Sequence, residues 1–190
     1  MGIMGFEFDL SRKRLPRRQR RGVYDAYTGI AGPYGEVTII ITMGPQKAEL
    51  SSTTLPSASI LHPEDRRQSP VTLDDKTYFV VGDQEAKIVQ NRRALRKEDR
   101  ALHIYLGDRH YEYLVPKFNV EELRDTERGT LLRMTSPPKV ISRVTVFPSA
   151  DPTDIALGLI LHGADTSGLT LARTVTSNIW YLFNNGEGQL

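Results

Sequence analysis

The chain is expected to fold as a β-rich, mainly antiparallel α+β domain: a closed or nearly closed barrel or roll around one short, apolar, C-terminal helix. Three observations carry this expectation. Ile155-Ala156-Leu157-Gly158-Leu159-Ile160-Leu161 contains no polar side chain, and a helix that is apolar on every face has to be surrounded. Most of the remaining sequence is patterned as short strand-like runs separated by tight turns. Such spacing implies antiparallel neighbours, because a parallel crossover needs a dozen or more residues. Closure is preferred to an open roll because it leaves no exposed sheet edge.

In chain order, residues 1–21 read as a flexible basic arm. Gly32-Pro33-Tyr34-Gly35 is a turn, and Glu36–Met43 is a β-branched strand. Residues 51–76, rich in Ser, Thr, Pro and Asp, read as a long surface loop with one weak strand at Ala58–Leu61. Two hairpins follow, Thr77–Val81 with Ala86–Gln90 and Ala101–Leu106 with Tyr111–Val115, turning at Gly82-Asp83 and Gly107-Asp108. Asn91–Arg100 is a polar loop or a single helical turn. Asn119–Leu123 and Thr130–Met134 form a third pair, and Lys139–Phe147 is a long strand ended by Pro148.

The helix start is chemically explicit. Asp151 can cap free N–H groups, Pro152 suits the first helical position, and Asp154 favours the positive helix end. Gly163 is a natural stop. Leu169–Val175 is helical or irregular, Asn178–Phe183 reads as a final buried strand, and residues 184–190 as a loose tail. The sequence thus predicts eight to ten strands and one helix, in a single β-rich domain over residues 22–183.

Composition narrows the function. With 39% hydrophobic and 25% charged residues over 190 positions, the chain suits one soluble globular domain. The absence of cysteine removes disulfides, thiolate metal sites and cysteine nucleophiles, and favours a cytoplasmic location. No signal peptide or membrane-length apolar run is visible. The net charge of +2 conceals an asymmetry. Seven of the 25 Lys and Arg lie within residues 12–21, as Arg12, Lys13, Arg14, Arg17, Arg18, Arg20 and Arg21, leaving 18 against 23 Asp and Glu elsewhere. An acidic body therefore carries a basic arm.

Candidate chemistry outside the arm is thin. His62, His103, His110 and His162 have no metal-ligand spacing, and His103 and His110 flank one hairpin without being directly opposed. His162 suits the negative end of the helix. Asp151, Asp154 and Asp165 bracket the helix, where capping accounts for the first two better than an acid–base dyad. No nucleophile elbow, phosphate-cradling loop or dinucleotide fingerprint occurs, so no catalytic residue, metal, cofactor or small-molecule substrate is assigned, and an enzyme is disfavoured. Arg92, Arg93, Arg96, Lys97 and Arg100 form a second basic cluster, offset by Glu98 and Asp99 as in a solvated loop.

One family resemblance emerges from the strands and the helix together. Asp108-Arg109-His110-Tyr111-Glu112-Tyr113-Leu114-Val115, then Glu121–Asp125 and Gly129–Leu132, with the apolar helix at Asp154–Leu161, resemble the tubby C-terminal-like proteins, specifically the LURP-one-related group. The likeness spans residues 77–162. It implies a closed antiparallel barrel around a hydrophobic helix and, for some members, phosphoinositide binding or kinship with phospholipid scramblases. Here the helix is shorter, residues 51–76 form a longer loop, and 28 residues follow His162. No functional residue of the family matches a position in this chain.

The functional expectation is therefore a non-enzymatic binding protein. Its seven arm cations would contact an anionic partner, either a membrane surface or nucleic acid. Six of the seven are arginine, which suits forked phosphate contacts. The alternative is a protein–protein or scaffold module whose arm only aids solubility.

Overall fold

A computed structural model describes residues 4–19, 21–63, 70–90, 101–117, 119–136, 141–166 and 169. Twelve antiparallel strands follow one another round a closed barrel. They are β1 (Phe6–Arg12), β2 (Val23–Ile30), β3 (Glu36–Met43), β4 (Gln46–Ser52), β5 (Ala58–His62) and β6 (Tyr78–Val81). The circuit continues with β7 (Gln84–Gln90), β8 (Leu102–Leu106), β9 (Arg109–Lys117), β10 (Val120–Asp125), β11 (Gly129–Thr135) and β12 (Ile141–Val146). Each strand pairs with its successor, and β12 returns to β1 through a ladder running from Phe6↔Val146 to Ser11↔Ile141.

Inward and outward positions alternate along the wall. Val37, Ile39 and Ile41 of β3 point in, as do Ala48 and Leu50 of β4 and Tyr111, Tyr113 and Val115 of β9. Side chains alone fill a barrel of about eight strands. Twelve strands leave a lumen wide enough for a helix, whose diameter with side chains is about 10–12 Å. The one α-helix among the described residues, α1 (Pro152–Ile160), and the 3-10 turn Leu161–Gly163 occupy it. Ile155, Ala156, Leu157, Leu159, Ile160 and Leu161 are all 0% exposed. Each buried Leu or Ile contributes about 1.5–3 kcal/mol through the hydrophobic effect.

The expected helix start is present in full. Asp154 N donates to Asp151 Oδ1 at 3.0 Å and Asp151 N to Asp154 Oδ2 at 2.8 Å, a capping box with Pro152 inside it. Gly163 does follow the helix, but its role is contact and not left-handed backbone. A Cβ there would stand 2.6 Å from Ala48 Cβ on β4. The hairpins turn where expected, at Gly82 and Gly107, whose φ values of 63° and 57° suit glycine.

Two expectations need correction. The segment expected to open as a flexible arm is part of the barrel over Phe6–Arg12, a strand bonded to β12 on one side and β2 on the other. Phe8 and Leu10 are buried in the lumen, and that apolar gain holds the strand despite the cations after it. Among the described residues the strands number twelve, not eight to ten, because β1, β2 and β4 carry weak strand signatures in sequence. The strand expected at Ala58–Leu61 within the 51–76 region is present as β5, whose Ala58, Ile60 and His62 are buried. Arg20, Asn91–Arg100, Asn178–Phe183 and residues 184–190 lie outside the described residues, as does Leu169–Val175 apart from Leu169.

The close approach of Gly163 to the wall is testable. Gly163→Ala is expected to cost about 1–3 kcal/mol as overpacking. Adding Ala48→Gly should recover part of that loss, giving non-additive urea midpoints. Purely additive effects would show that the two residues do not touch.

Candidate functional site

The odd-numbered strands end, and the even-numbered strands begin, at the rim that receives the helix C-terminus, here the lower rim. There Val71 N donates to Gly163 O at 3.0 Å, tying the β5–β6 connection to the helix end. The upper rim receives the helix N-terminus.

The upper rim is organised by Asp154, which is completely buried. Its carboxylate accepts hydrogen bonds from Tyr111 Oη at 2.8 Å, Arg128 Nη1 at 2.6 Å and Arg109 Nη1 at 3.2 Å. Arg109 Nη1 also reaches Asp151 Oδ2 at 2.6 Å, and Arg128 Nη2 reaches Asp125 Oδ2 at 3.0 Å. Burial pushes the Asp151 carboxyl upward, but the Asp154 N–H and the Arg109 guanidinium outweigh it and hold the group below its ordinary range. Asp125 behaves alike: burial is outweighed by the N–H groups of Arg128 and Glu127 and by the Arg128 side chain. Burial pushes the Tyr111 hydroxyl up to about 12. With its carboxylates bonded to arginines, this cluster is a clamp that seats the helix and not an acid–base dyad. Asp165 stands at the opposite rim, its N–H bonded to Val71 O at 2.8 Å, so the three aspartates bracketing the helix do not converge.

The basic segment lies at the lower rim. Arg12 ends β1, Lys13 N donates to Ala26 O at 2.7 Å, Arg17–Gln19 form a 3-10 turn, and Gly22 O accepts from Met43 N at 2.9 Å. Residues 13–22 thus connect two adjacent strands and are fastened at both ends. Between this connection and β2 lies a groove of about 470 Å³ lined by Arg12, Lys13, Arg14, Leu15, Val23, Tyr24, Asp25 and Ala26.

The cations are not equivalent. Arg12 Nε is 2.6 Å from Asp25 Oδ1, and Tyr27 Oη donates to Asp25 Oδ2 at 2.8 Å. Burial first, then that bond to Asp25, raises the Tyr27 hydroxyl well above its ordinary range. Arg12 is therefore committed to the wall. Lys13 Nζ stands 3.8 Å from Glu36 Oε1, an exposed and weak pair. Arg14, Arg17, Arg18 and Arg21 are exposed and form no ion pair among the described residues. The six described members of the sequence-level set thus divide into one structural arginine, one loosely held lysine and four outward arginines, and the seventh, Arg20, lies outside the described residues.

The histidines separate. His62 is buried with Nε2 3.1 Å from Asp74 Oδ1, and His162 packs edge-on against Tyr27 with ring centroids 4.6 Å apart. His103 and His110 meet on the outer wall, offset as the hairpin register requires: His103 pairs with Glu112 and Tyr105 with His110. No group of three or more His, Cys, Asp or Glu suited to a metal occurs among the described residues. No helix among them is long and apolar enough to cross a membrane.

Sequence reading missed Asp25, Tyr24 and Tyr27 as partners of the basic segment, and Arg109 and Arg128 as partners of Asp154. Only Asp125–Arg128 had a local cue, an Asp opening a tight turn. Compared with protein-family models, curated proteins and solved structures, the chain matches none.

Two outcomes follow for the upper rim. Asp154→Ala leaves two arginines and a tyrosine without their shared acceptor and is expected to cost about 3–5 kcal/mol by urea denaturation. Asp125 and Asp151 both titrate below their ordinary 3.8 in the folded chain, so the unfolded chain takes up their protons first. Their stabilisation is complete above that value and is lost as pH falls through the folded-state values. Asp125→Asn should therefore flatten the acid limb of stability against pH, and an unchanged limb would contradict the clamp.

Proposed function

We propose that this barrel is a non-enzymatic binding protein whose lower rim engages a phosphate-bearing anionic partner, phospholipid headgroups in preference to nucleic acid. The observation that carries the reading is the outward set Arg14, Arg17, Arg18 and Arg21, exposed and without an ion pair among the described residues, on a connection fastened at both ends. Anchoring lowers the ordering cost of binding, because the cations are already confined to one rim. Arginine forks match phosphate oxygens, and each such pairing releases counterions, so affinity falls as salt rises.

Headgroups are favoured over nucleic acid by the neighbours of the cations. No aromatic residue lies within residues 12–21 to stack on bases. Half-buried Leu15 and exposed Tyr24 line the groove instead, apolar bodies suited to a lipid–water boundary. The resemblance to tubby C-terminal-like proteins implies a barrel of this architecture and, for some members, phosphoinositide ligands; it adds to the reading without a matched residue. A cytoplasmic location belongs to the same proposal.

The test is sedimentation with vesicles of neutral or anionic lipid across a salt series, beside a mobility-shift assay with single- and double-stranded nucleic acid. The full chain should bind anionic vesicles selectively. Replacing Arg14, Arg17, Arg18 and Arg21 together by Gln should weaken binding and lower the salt slope by about 1 for every phosphate no longer neutralised. Binding to nucleic acid alone would reassign the partner class. No anionic binding, or binding unchanged in the quadruple variant, would leave the rim incidental and favour a scaffold role.

A further inference from the structure

We propose that His103 and His110 form a chelating site for a first-row divalent cation, zinc or copper, on the outer wall of the barrel. This rests on different residues from the lower-rim reading and stands without it. His103 Nδ1 and His110 Nε2 lie 3.1 Å apart, facing each other diagonally across the β8–β9 hairpin. As it stands, that contact is a hydrogen bond sharing one proton between two imidazoles. The same spacing fits a bridging metal: two metal–nitrogen bonds of about 2.0–2.1 Å spanning 3.1 Å subtend about 100° at the ion. That angle lies between those of square-planar and tetrahedral centres, the geometries of copper and zinc with nitrogen donors.

The surroundings favour a held pair over two loose side chains. Tyr105 stacks flat on the His110 ring, with centroids 4.6 Å apart and planes within 4°. The two imidazoles themselves stack at 5.3 Å. Both ligands sit on hydrogen-bonded strands, so the backbone fixes their separation. Glu112, opposite His103, places Oε1 3.9 Å from His103 Nδ1 and so sets a negative charge beside the pair. Side-chain exposures of 31% for His103 and 38% for Glu112 leave room for water to complete the coordination. The site offers two protein nitrogens, short of the three or four ligands of a structural or catalytic zinc centre, and so is a binding or sensing site. Imidazole donors select zinc and copper over magnesium and calcium, which seek oxygen.

Titration of ZnCl2 into the full-length chain, without an affinity tag, tests the site by calorimetry and by NMR of the imidazole resonances. One equivalent should bind, and the resonances of His103 and His110 should move while those of His62 and His162 stay in place. His103→Ala and His110→Ala should each weaken binding at least about tenfold, the loss seen even when an outer partner of a metal ligand is removed. MgCl2 should not compete. Absence of saturable binding overturns the proposal. So does a double variant that keeps the wild-type affinity, or shifts confined to His62 and His162. The NMR readout on the unsubstituted chain decides the matter even if a variant fails to fold.

Discussion

A twelve-stranded barrel cannot close on its own side chains alone, and the apolar helix is what makes this one solid. From Asp154 to Ile160 every residue of α1 is buried against the inner wall, so no face of that stretch remains for water. Two glycines set how close that meeting is. Gly158 lets the Leu132 side chain of β11 approach to where a Cβ would stand 3.1 Å from its methyl carbons, and Gly163 admits Ala48. Wall and helix therefore specify each other: without the helix the barrel would enclose a void, and without the barrel the helix would have no stable environment.

Seating the helix also requires that its ends be satisfied inside protein. At the upper rim the capping box answers the free N–H groups, and Arg109, Arg128 and Tyr111 answer the buried carboxylate that makes the cap possible. Those partners come from β9 and from the β10–β11 turn, so the clamp also joins two hairpins to the helix start. At the lower rim the carbonyl end of the helix is bonded to the β5–β6 connection. The negative end of the helix dipole thus points toward the rim that carries the outward arginines, a favourable though short-ranged alignment. Charge is distributed along the barrel axis: carboxylates locked by arginines above, arginines facing solvent below.

The basic segment shows how sequence and fold interact. Read along the chain, seven cations in ten residues signal a disordered tether. Read in the barrel, the first of them ends a strand and is paired with Asp25, and the other described ones lie on a short connection to the neighbouring strand. The period-two signal was present, since Phe6, Phe8 and Leu10 alternate with Glu7, Asp9 and Ser11. Its acidic partners and the cation run after it obscured it. β2 and β4 were faint for a related reason: Val23–Ile30 holds few strongly apolar residues, and Gln46–Ser52 buries only Gln46, Ala48 and Leu50.

By itself the sequence determined the enclosed helix, its cap, the three central hairpins and the antiparallel barrel class. These rest on local chemistry: periodicity, turn residues and a capping pattern act between neighbours in the chain. Only the tertiary structure decided that the barrel closes with twelve strands, because closure depends on β1 meeting β12 across more than a hundred residues, a pairing with no local signature. It likewise decided which charges are structural. Asp25 meets Arg12, Asp154 meets Arg109 and Arg128, and His103 meets His110 only when separate strands are brought side by side.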